Sequence, residues 1–158
     1  MILKKNDSGG RGWRYALPPA IAGIVVTVGV AVAMTTTDQA SFCGSCHSMA
    51  EAALTHKNSV HAELACNDCH APHNLAAKVP FKTKEGVRDI LATATSRVPD
   101  LIHPGEDTLG VTQANCVRCH SATTSTVNMQ SKKFCTDCHR NVPHTPKIPV
   151  AKRSAADA

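Results

Sequence analysis

The chain of 158 residues carries 17 lysines and arginines against 12 acidic residues, a formal net charge of +5. This length suits one compact domain with short appendages, but the aromatic residues after residue 35 are only Phe42, Phe81 and Phe134. So few large apolar side chains cannot build an ordinary core. The positive charge comes without interleaved aromatic and basic residues, which argues against a nucleic-acid partner.

The first predicted element is an apolar helix near the N-terminus. Residues 16–34 carry no charge, and at about 1.5 Å per residue they span about 28 Å, close to the thickness of a bilayer core. Pro18 and Pro19 are expected in the first helical turn, which tolerates proline. Trp13 and Tyr15 stand just before the run and suit a membrane interface. We therefore predict a transmembrane helix over 16–34.

The charges around this helix predict its orientation. Segment 1–15 has a single acidic residue, Asp7, and its basic residues are Lys4, Lys5, Arg11 and Arg14. Such segments stay in the cytoplasm. The alternative is a cleaved signal peptide, since 31–33 resembles a cleavage site, but the apolar region of a signal is usually about 7–15 residues long. We favour an uncleaved single-pass anchor in the inner membrane, with the remainder of the chain on the periplasmic side.

All eight cysteines lie in four Cys-x-x-Cys-His motifs, at 43–47, 66–70, 116–120 and 135–139. This is the attachment signature of c-type haem, in which both thiols bond covalently to the haem and the histidine ligates the iron. The alternatives are four disulfides or paired zinc sites, and neither requires a histidine directly after each cysteine pair. We therefore predict four covalent haem c groups and a haem-free chain that is unfolded. The predicted attachment residues are Cys43, Cys46, Cys66, Cys69, Cys116, Cys119, Cys135 and Cys138.

The motifs fall into two pairs, and the long segment between the pairs holds the best helical pattern. We predict a helix that follows Pro80 and ends at Pro99, with a shorter helix over 48–61. The apolar positions at helical spacing in the longer helix are Val87, Ile90, Leu91, Ala94 and Val98. The predicted fold is mainly α: one N-terminal transmembrane helix, an irregular multihaem cytochrome c domain at 35–146 and a C-terminal tail at 147–158.

The histidines outside the motifs are candidates for the second axial position of each iron. His61 lies five residues before Cys66, and His144 lies five after His139. Such close neighbours cannot easily reach the far face of the adjacent haem, so we expect any ligation by them to join a haem bound elsewhere in the chain. The weaker candidates are His56, His73 and His103.

The first motif differs from the others because Met49 follows its histidine by two residues. Methionine is a haem ligand that raises the haem potential. His47 and Met49 are too close to bind one iron together, so one of them ligates it and the other packs nearby. The sequence leaves open which of the two binds, since Met49 is also a common core residue.

Lys82 and Asp89 are a candidate catalytic pair on the longer helix. They are seven residues apart and share one helix face. The ordinary interpretation is a solvated charged face. Their chemistry also fits quinol oxidation, in which a carboxylate accepts a proton while a lysine stabilises the developing anion. The spacing does not distinguish the two interpretations.

Several stretches together resemble the membrane-bound tetrahaem quinol dehydrogenases of the NapC/NirT type, and among them the small subunits of cytochrome c nitrite reductases. These stretches are Phe42-Cys-Gly-Ser-Cys-His-Ser-Met49, Cys66-Asn-Asp-Cys-His-Ala-Pro-His-Asn74, Pro80-Phe-Lys82 with Arg88-Asp89, and Cys135-Thr-Asp-Cys-His-Arg-Asn-Val142. The resemblance runs from the apolar helix to about His144.

The resemblance implies a menaquinol dehydrogenase that passes electrons through four haems to a periplasmic multihaem nitrite reductase, which makes ammonia. It implies that Met49 replaces His47 as an iron ligand, that Lys82 and Asp89 line the menaquinol site, and that one haem is open to a ligand from the partner. The implied histidine ligands are His70, His120 and His139 from the motifs, with His61 and His144 on distal faces. The alternatives are a tetrahaem periplasmic electron carrier and a quinol dehydrogenase for another periplasmic reductase.

Overall fold

The computed structural model describes residues 9–128, 132–145, 149 and 152, with side chains described from Trp13 onwards. The described chain is helical and contains no strand, which confirms the predicted mainly α fold. It divides into two compact units at the bond between Thr37 and Asp38. Most of the predicted tail at 147–158 lies outside the described residues.

The first unit is one helix, α1 (Gly9–Thr36). Its stretch from Trp13 to Thr36, 24 residues, is long and apolar enough to cross a membrane. The expected position of the two prolines is wrong, because the helix begins well before Pro18 and Pro19 and both lie inside it.

The threonine hydroxyls of α1 are satisfied within the helix itself. Thr27 donates to the Gly23 carbonyl at 2.8 Å, and Thr36 donates to the Val32 carbonyl at 2.9 Å. Bonds of this kind occupy polar side chains where no water is available. The threonines of α1 are therefore compatible with an apolar environment.

The second unit holds the four motifs on short helices. Its elements are α2 (Ala40–Cys43), α3 (His47–Lys57), α4 (Cys66–His70), α5 (Leu75–Ala94), α6 (Glu106–Thr124) and a 3₁₀ helix (Cys135–Asp137). The first motif joins α2 to α3, the second is α4, the third lies within α6 and the fourth begins with the 3₁₀ helix. The sequence did not predict α6, whose helical dihedrals are interrupted at His120, the histidine of the third motif.

The predicted bounds of α5 are wrong at both ends. Asn74 caps the helix by accepting from the Ala76 amide at 2.8 Å, so the helix starts ahead of Pro80 and contains it. At the other end Ser96 has a φ of 53°. The amides of Ser96 and Arg97 then bond back to carbonyls of the last turn, a Schellman motif that stops the helix before Val98. The shorter helix α3 likewise ends at Lys57 rather than at 61.

The apolar core of the second unit is very small. Its buried apolar residues are Ala50, Ala53 and Ala71, and among the described residues no large side chain is fully buried. The helices α2 and α3 approach closely at Gly44, where a Cβ atom would lie 2.9 Å from that of Ala53. A protein of this size needs more buried apolar surface than three alanines provide. This agrees with the prediction that covalently bound haem completes the core.

Candidate haem sites and the adjoining lysine cluster

The eight cysteines all lie in the described residues and none forms a disulfide. Thiols of neighbouring motifs are in contact: Cys66 donates to Cys43, which lowers the pKa of Cys43 to about 7 and raises that of Cys66. Cys116 likewise bonds to Cys135, although burial is the main cause of its raised pKa. These contacts bring the first motif to the second and the third motif to the fourth.

The second and third motifs are also close to each other. The pKa of Cys69 is raised by burial first, and then by Asp68 and by the third-motif residue Cys119. The helices α4 and α6, which carry these motifs, pack together. The four attachment sites are therefore arranged as a continuous series from the first to the fourth.

Asn115 provides the main polar contact between the second and third motifs. Its buried side-chain amide donates to the Cys69 carbonyl at 3.0 Å and to the Ala71 carbonyl at 2.9 Å. These carbonyls belong to the residues on either side of His70, so Asn115 hydrogen-bonds α6 to the second motif at its histidine. A further side chain of α6, Gln113, accepts from the Cys135 amide of the fourth motif at 2.7 Å. No motif in the sequence marks either contact.

Three pairs of histidine rings have about the separation that one iron between them requires, and two of these pairs include a motif histidine. The ring centroids of His70 and His144 lie 6.1 Å apart, and those of His61 and His120 lie 6.2 Å apart. A metal–nitrogen bond of about 2 Å on each side of an iron, plus the two ring radii, gives about 6 Å between centroids. The structure thus brings His61 to the third motif and His144 to the second, and these residues fit covalently bound haem c.

The other histidines differ in their surroundings. His56 is only 4% exposed, its ring centroid lies 6.4 Å from that of His144, and its Nδ1 atom has no hydrogen-bond partner. Burial first, with help from His144 and His56, lowers the pKa of His70 to about 4. A neutral imidazole is the form that binds metal. His73 is exposed and lies within hydrogen-bonding distance of the Asp68 carbonyl.

His47 and Met49 both lie in the first turn of α3, and both side chains are exposed. Cys46 directly precedes this helix as its N-cap residue. Side chains at positions i and i+2 of a helix point in nearly opposite directions, so His47 and Met49 cannot both bind one iron. The structure therefore retains both as candidate ligands. His139 of the fourth motif and His103 are also exposed.

Lys82 pairs in the structure with Asp38, a residue that the sequence did not single out. The Lys82 ammonium lies 2.6 Å from Asp38 Oδ1, and the Lys78 ammonium lies 2.6 Å from Asp38 Oδ2. Asn67 of the second motif donates to Asp38 Oδ1 at 2.7 Å. Burial alone would raise the pKa of Asp38, but the hydrogen bonds from both lysines and Asn67 outweigh it and lower the pKa. We call Asp38, Lys78, Lys82 and Asn67 the lysine cluster.

The lysine cluster adjoins the first motif. After the hydrogen bond from Cys66, the charge of Lys82 further lowers the pKa of Cys43, while burial and the charge of Asp38 oppose that change. Lys82 and Asp38 are therefore both within electrostatic range of the Cys43 thiol, which is predicted to attach the first haem.

Asp89 lies two helical turns after Lys82 on the same face of α5 and has a different environment from Asp38. Its side chain is exposed. Desolvation by neighbouring groups nevertheless raises its pKa, Arg88 lowers it in part and Glu85 adds to the rise. The pKa of Asp38 is thus lowered while that of Asp89 is raised. Opposite pKa shifts of two carboxyl groups are the pattern that separates acid–base roles in active sites.

An apolar helix long enough to cross a membrane, followed by four sets of free thiols each with an adjacent histidine, defines a membrane-anchored c-type cytochrome. Residues 13–102 match the NapC/NirT cytochrome c family, N-terminal region. The chain belongs to this family, and covalently bound haem c follows from that membership.

Known relatives match most or all of the chain. It is 46% identical over 158 residues to cytochrome c nitrite reductase subunit NrfH of Nitratidesulfovibrio vulgaris, covering 99% of each chain. It is 32% identical over 117 residues to cytochrome c-type protein NrfH of Wolinella succinogenes, covering 65% of this chain and 66% of that one. Among solved structures, a chain of the cytochrome c nitrite reductase NrfHA complex bound to the HQNO inhibitor matches with a TM-score of 0.77 and 48% identity, over 91% of this chain and 99% of that chain.

Proposed function

We propose that this protein is the membrane-anchored quinol dehydrogenase of a nitrite reductase complex. It takes electrons from menaquinol and delivers them through four haems to the catalytic multihaem subunit, which reduces nitrite to ammonia. Full-length similarity to a nitrite reductase subunit and to a chain of the NrfHA complex supports this proposal. A tetrahaem periplasmic electron carrier is the less favoured alternative because α1 is long and apolar enough to anchor the chain.

The lysine cluster beside the first motif is the observation that carries the quinol dehydrogenase proposal. Two ammonium groups share one carboxylate, so the cluster carries a net positive charge, and its Lys82 and Asp38 act on the Cys43 thiol. Oxidation of a quinol releases two protons, and positive charge stabilises the oxyanion that forms as the first proton leaves. We assign this role to Lys82, and the role of proton acceptor to Asp89, which is exposed and has a raised pKa.

Bound haem c supplies the one-electron redox chemistry that quinol oxidation requires. The residues of the chain determine where each group is attached and in what order. The attachment thiols form a series from the first motif to the fourth, so electrons that enter beside the lysine cluster would pass along this series towards the fourth motif.

We assign the iron ligands from the ring geometry and the family resemblance. His70 and His144 would bind opposite sides of the second iron, and His120 and His61 those of the third. Met49 would ligate the first iron in place of His47, and His139 the fourth. The basic residues at positions 4, 5, 11 and 14 support a periplasmic location for the second unit, on the outer side of the inner membrane.

The experiment that tests this function is purification from native membranes under mild detergent. We expect a nitrite reductase to co-purify, four haems per chain by haemochrome absorbance, and nitrite reduction driven by a menaquinol analogue. HQNO, the inhibitor in the matched complex, should block the quinol-driven reaction while dithionite still drives nitrite reduction. A chain that carries four haems but accepts no electrons from menaquinol would contradict the proposal.

A further inference from the structure

The carboxylate of Asp38 joins three separate segments of the second unit. Its two oxygens accept from Lys78 and Lys82 on α5, each at 2.6 Å, and from the Asn67 side chain on α4 at 2.7 Å. The backbone carbonyl of Asp38 also accepts from the Asn67 amide at 3.4 Å. Asp38 is 9% exposed, which makes it the most buried acidic residue among those described.

The two lysines depend on this carboxylate for their positions. Lys78 and Lys82 are one helical turn apart on α5, where two like charges repel each other. Their side chains are only 17% and 16% exposed, so water cannot fully screen that repulsion. Asp38 neutralises one of the two charges and draws both ammonium groups to its carboxylate, with Lys82 within electrostatic range of Cys43.

Asp38 is itself a poor proton acceptor. Three donors occupy its oxygens, and they hold it in the charged form at neutral pH. Asp89, by contrast, is exposed and has the raised pKa that suits a base. The environment of Asp38 is therefore that of a group that orients another catalytic group.

We propose that Asp38 is a positioning residue for quinol oxidation: it holds the Lys82 ammonium beside the first haem motif and makes Lys78 a second cation of the same site. This inference rests on the proposed menaquinol oxidation. Because the quinol is neutral when it binds and gains negative charge only as it loses its proton, the positioned ammonium acts mainly in the transition state. Its loss therefore lowers kcat and changes KM little.

The test compares Asp38→Asn with Asp107→Asn in the full-length complex. Asp107 is a matched control because it also pairs with a lysine of α5, Lys84, at 2.6 Å, but the pair is exposed. With menaquinol analogue as donor and haem content equal, Asp38→Asn should lower kcat about tenfold or more, the effect of losing a charge-assisted hydrogen bond, with KM within about twofold. Asp107→Asn should match the wild type.

A second readout does not use quinol. Removing the negative charge of Asp38 beside Cys43 should raise the midpoint potential of the first haem in a spectroelectrochemical titration, and Asp38→Glu should return it towards the wild-type value. Asp107→Asn should leave it unchanged. A purely structural role would instead lower haem content or raise KM.

The outcomes separate this inference from the proposed function. If the wild type oxidises menaquinol and Asp38→Asn retains its kcat and potential, Asp38 is not a positioning residue although the function stands. If the wild type itself takes no electrons from menaquinol, both fail together. Should Asp38→Asn not assemble, Asp38→Glu decides, because it keeps the charge but displaces the ammonium: full haem content with reduced kcat supports the inference, and wild-type kcat overturns it.

Discussion

The His144 ring lies nearly parallel to the His70 ring, with centroids 6.1 Å apart and planes inclined by 28°. The Nδ1 atom of His144 is within hydrogen-bonding distance, 3.1 Å, of the Ala52 carbonyl. A metal-ligating histidine usually donates its second nitrogen to such a partner, which fixes the ring orientation and leaves Nε2 for the metal. The C-terminal part of the chain is thereby joined to the second motif and to α3.

Replacing His144 should change the spin state of one haem. In His144→Ala the second iron loses its proposed distal ligand, so we expect a high-spin component in the ferric optical and EPR spectra while four haems remain attached. His73→Ala is the control, because His73 is exposed and contacts only a backbone carbonyl in the hydrogen bonds described. A fully low-spin spectrum in His144→Ala would show that this residue is not a ligand.

Lys82 and Asp89 should matter to quinol oxidation more than their neighbours on α5. We expect Lys82→Met and Asp89→Asn each to reduce quinol-driven turnover about 10²-fold or more, the scale of removing an acid–base or electrostatic catalyst. Lys84→Met, two residues from Lys82 and 61% exposed at its side chain, should keep wild-type turnover. The measurement is steady-state oxidation of a menaquinol analogue at equal haem content, with dithionite-driven nitrite reduction as an internal standard. Full activity in both test variants would exclude the proposed quinol site.

Asn115→Ala should destabilise the contact between α4 and α6. The variant leaves the Cys69 and Ala71 carbonyls without the buried amide that pairs with them, at a cost of about 1–3 kcal/mol for each unsatisfied group. We expect a lower thermal midpoint of the haem-loaded protein and faster amide exchange in α4. Asn58→Ala removes an exposed hydrogen bond from the Asn58 side-chain amide to the Leu54 carbonyl and should have little effect. Equal midpoints for the two variants would contradict the role of Asn115 as a clamp.

The lowered pKa of Asp38 predicts how stability depends on pH. A carboxyl group whose pKa is lower in the folded protein than in the unfolded chain stabilises the fold above the unfolded pKa, which for an aspartate is near 3.8. That stabilisation is lost as the pH falls through the folded value. Asp38→Asn should therefore be less stable than the wild type at pH 7, and the difference should shrink as the pH falls below about 4. Acid-unfolding curves followed by circular dichroism measure this, and a pH-independent difference would contradict it.

The helix bounds show where sequence patterns were sufficient and where they were not. The apolar run predicted α1, and the spacing of Val87, Ile90 and Leu91 predicted α5. The start and the end of α5 depended instead on Asn74 as a cap and on Ser96 in a left-handed conformation. Each of these boundaries is set by one residue. The sequence prediction instead used the nearby prolines, Pro80 and Pro99, as the more evident boundary markers.

The sequence by itself determined the chemistry that depends on adjacent residues. Two thiols and a histidine must be neighbours to attach one haem, and an apolar run must be continuous to cross a membrane, so both are readable in the order of residues. The contacts of Lys82 with Asp38, of Asn115 with Cys69 and of His144 with His70 join residues far apart in the chain. No local pattern encodes such contacts, because they form only when separate helices pack together. The tertiary structure therefore decided which lysines share a carboxylate beside the first motif, and which histidine rings lie close enough to hold an iron between them.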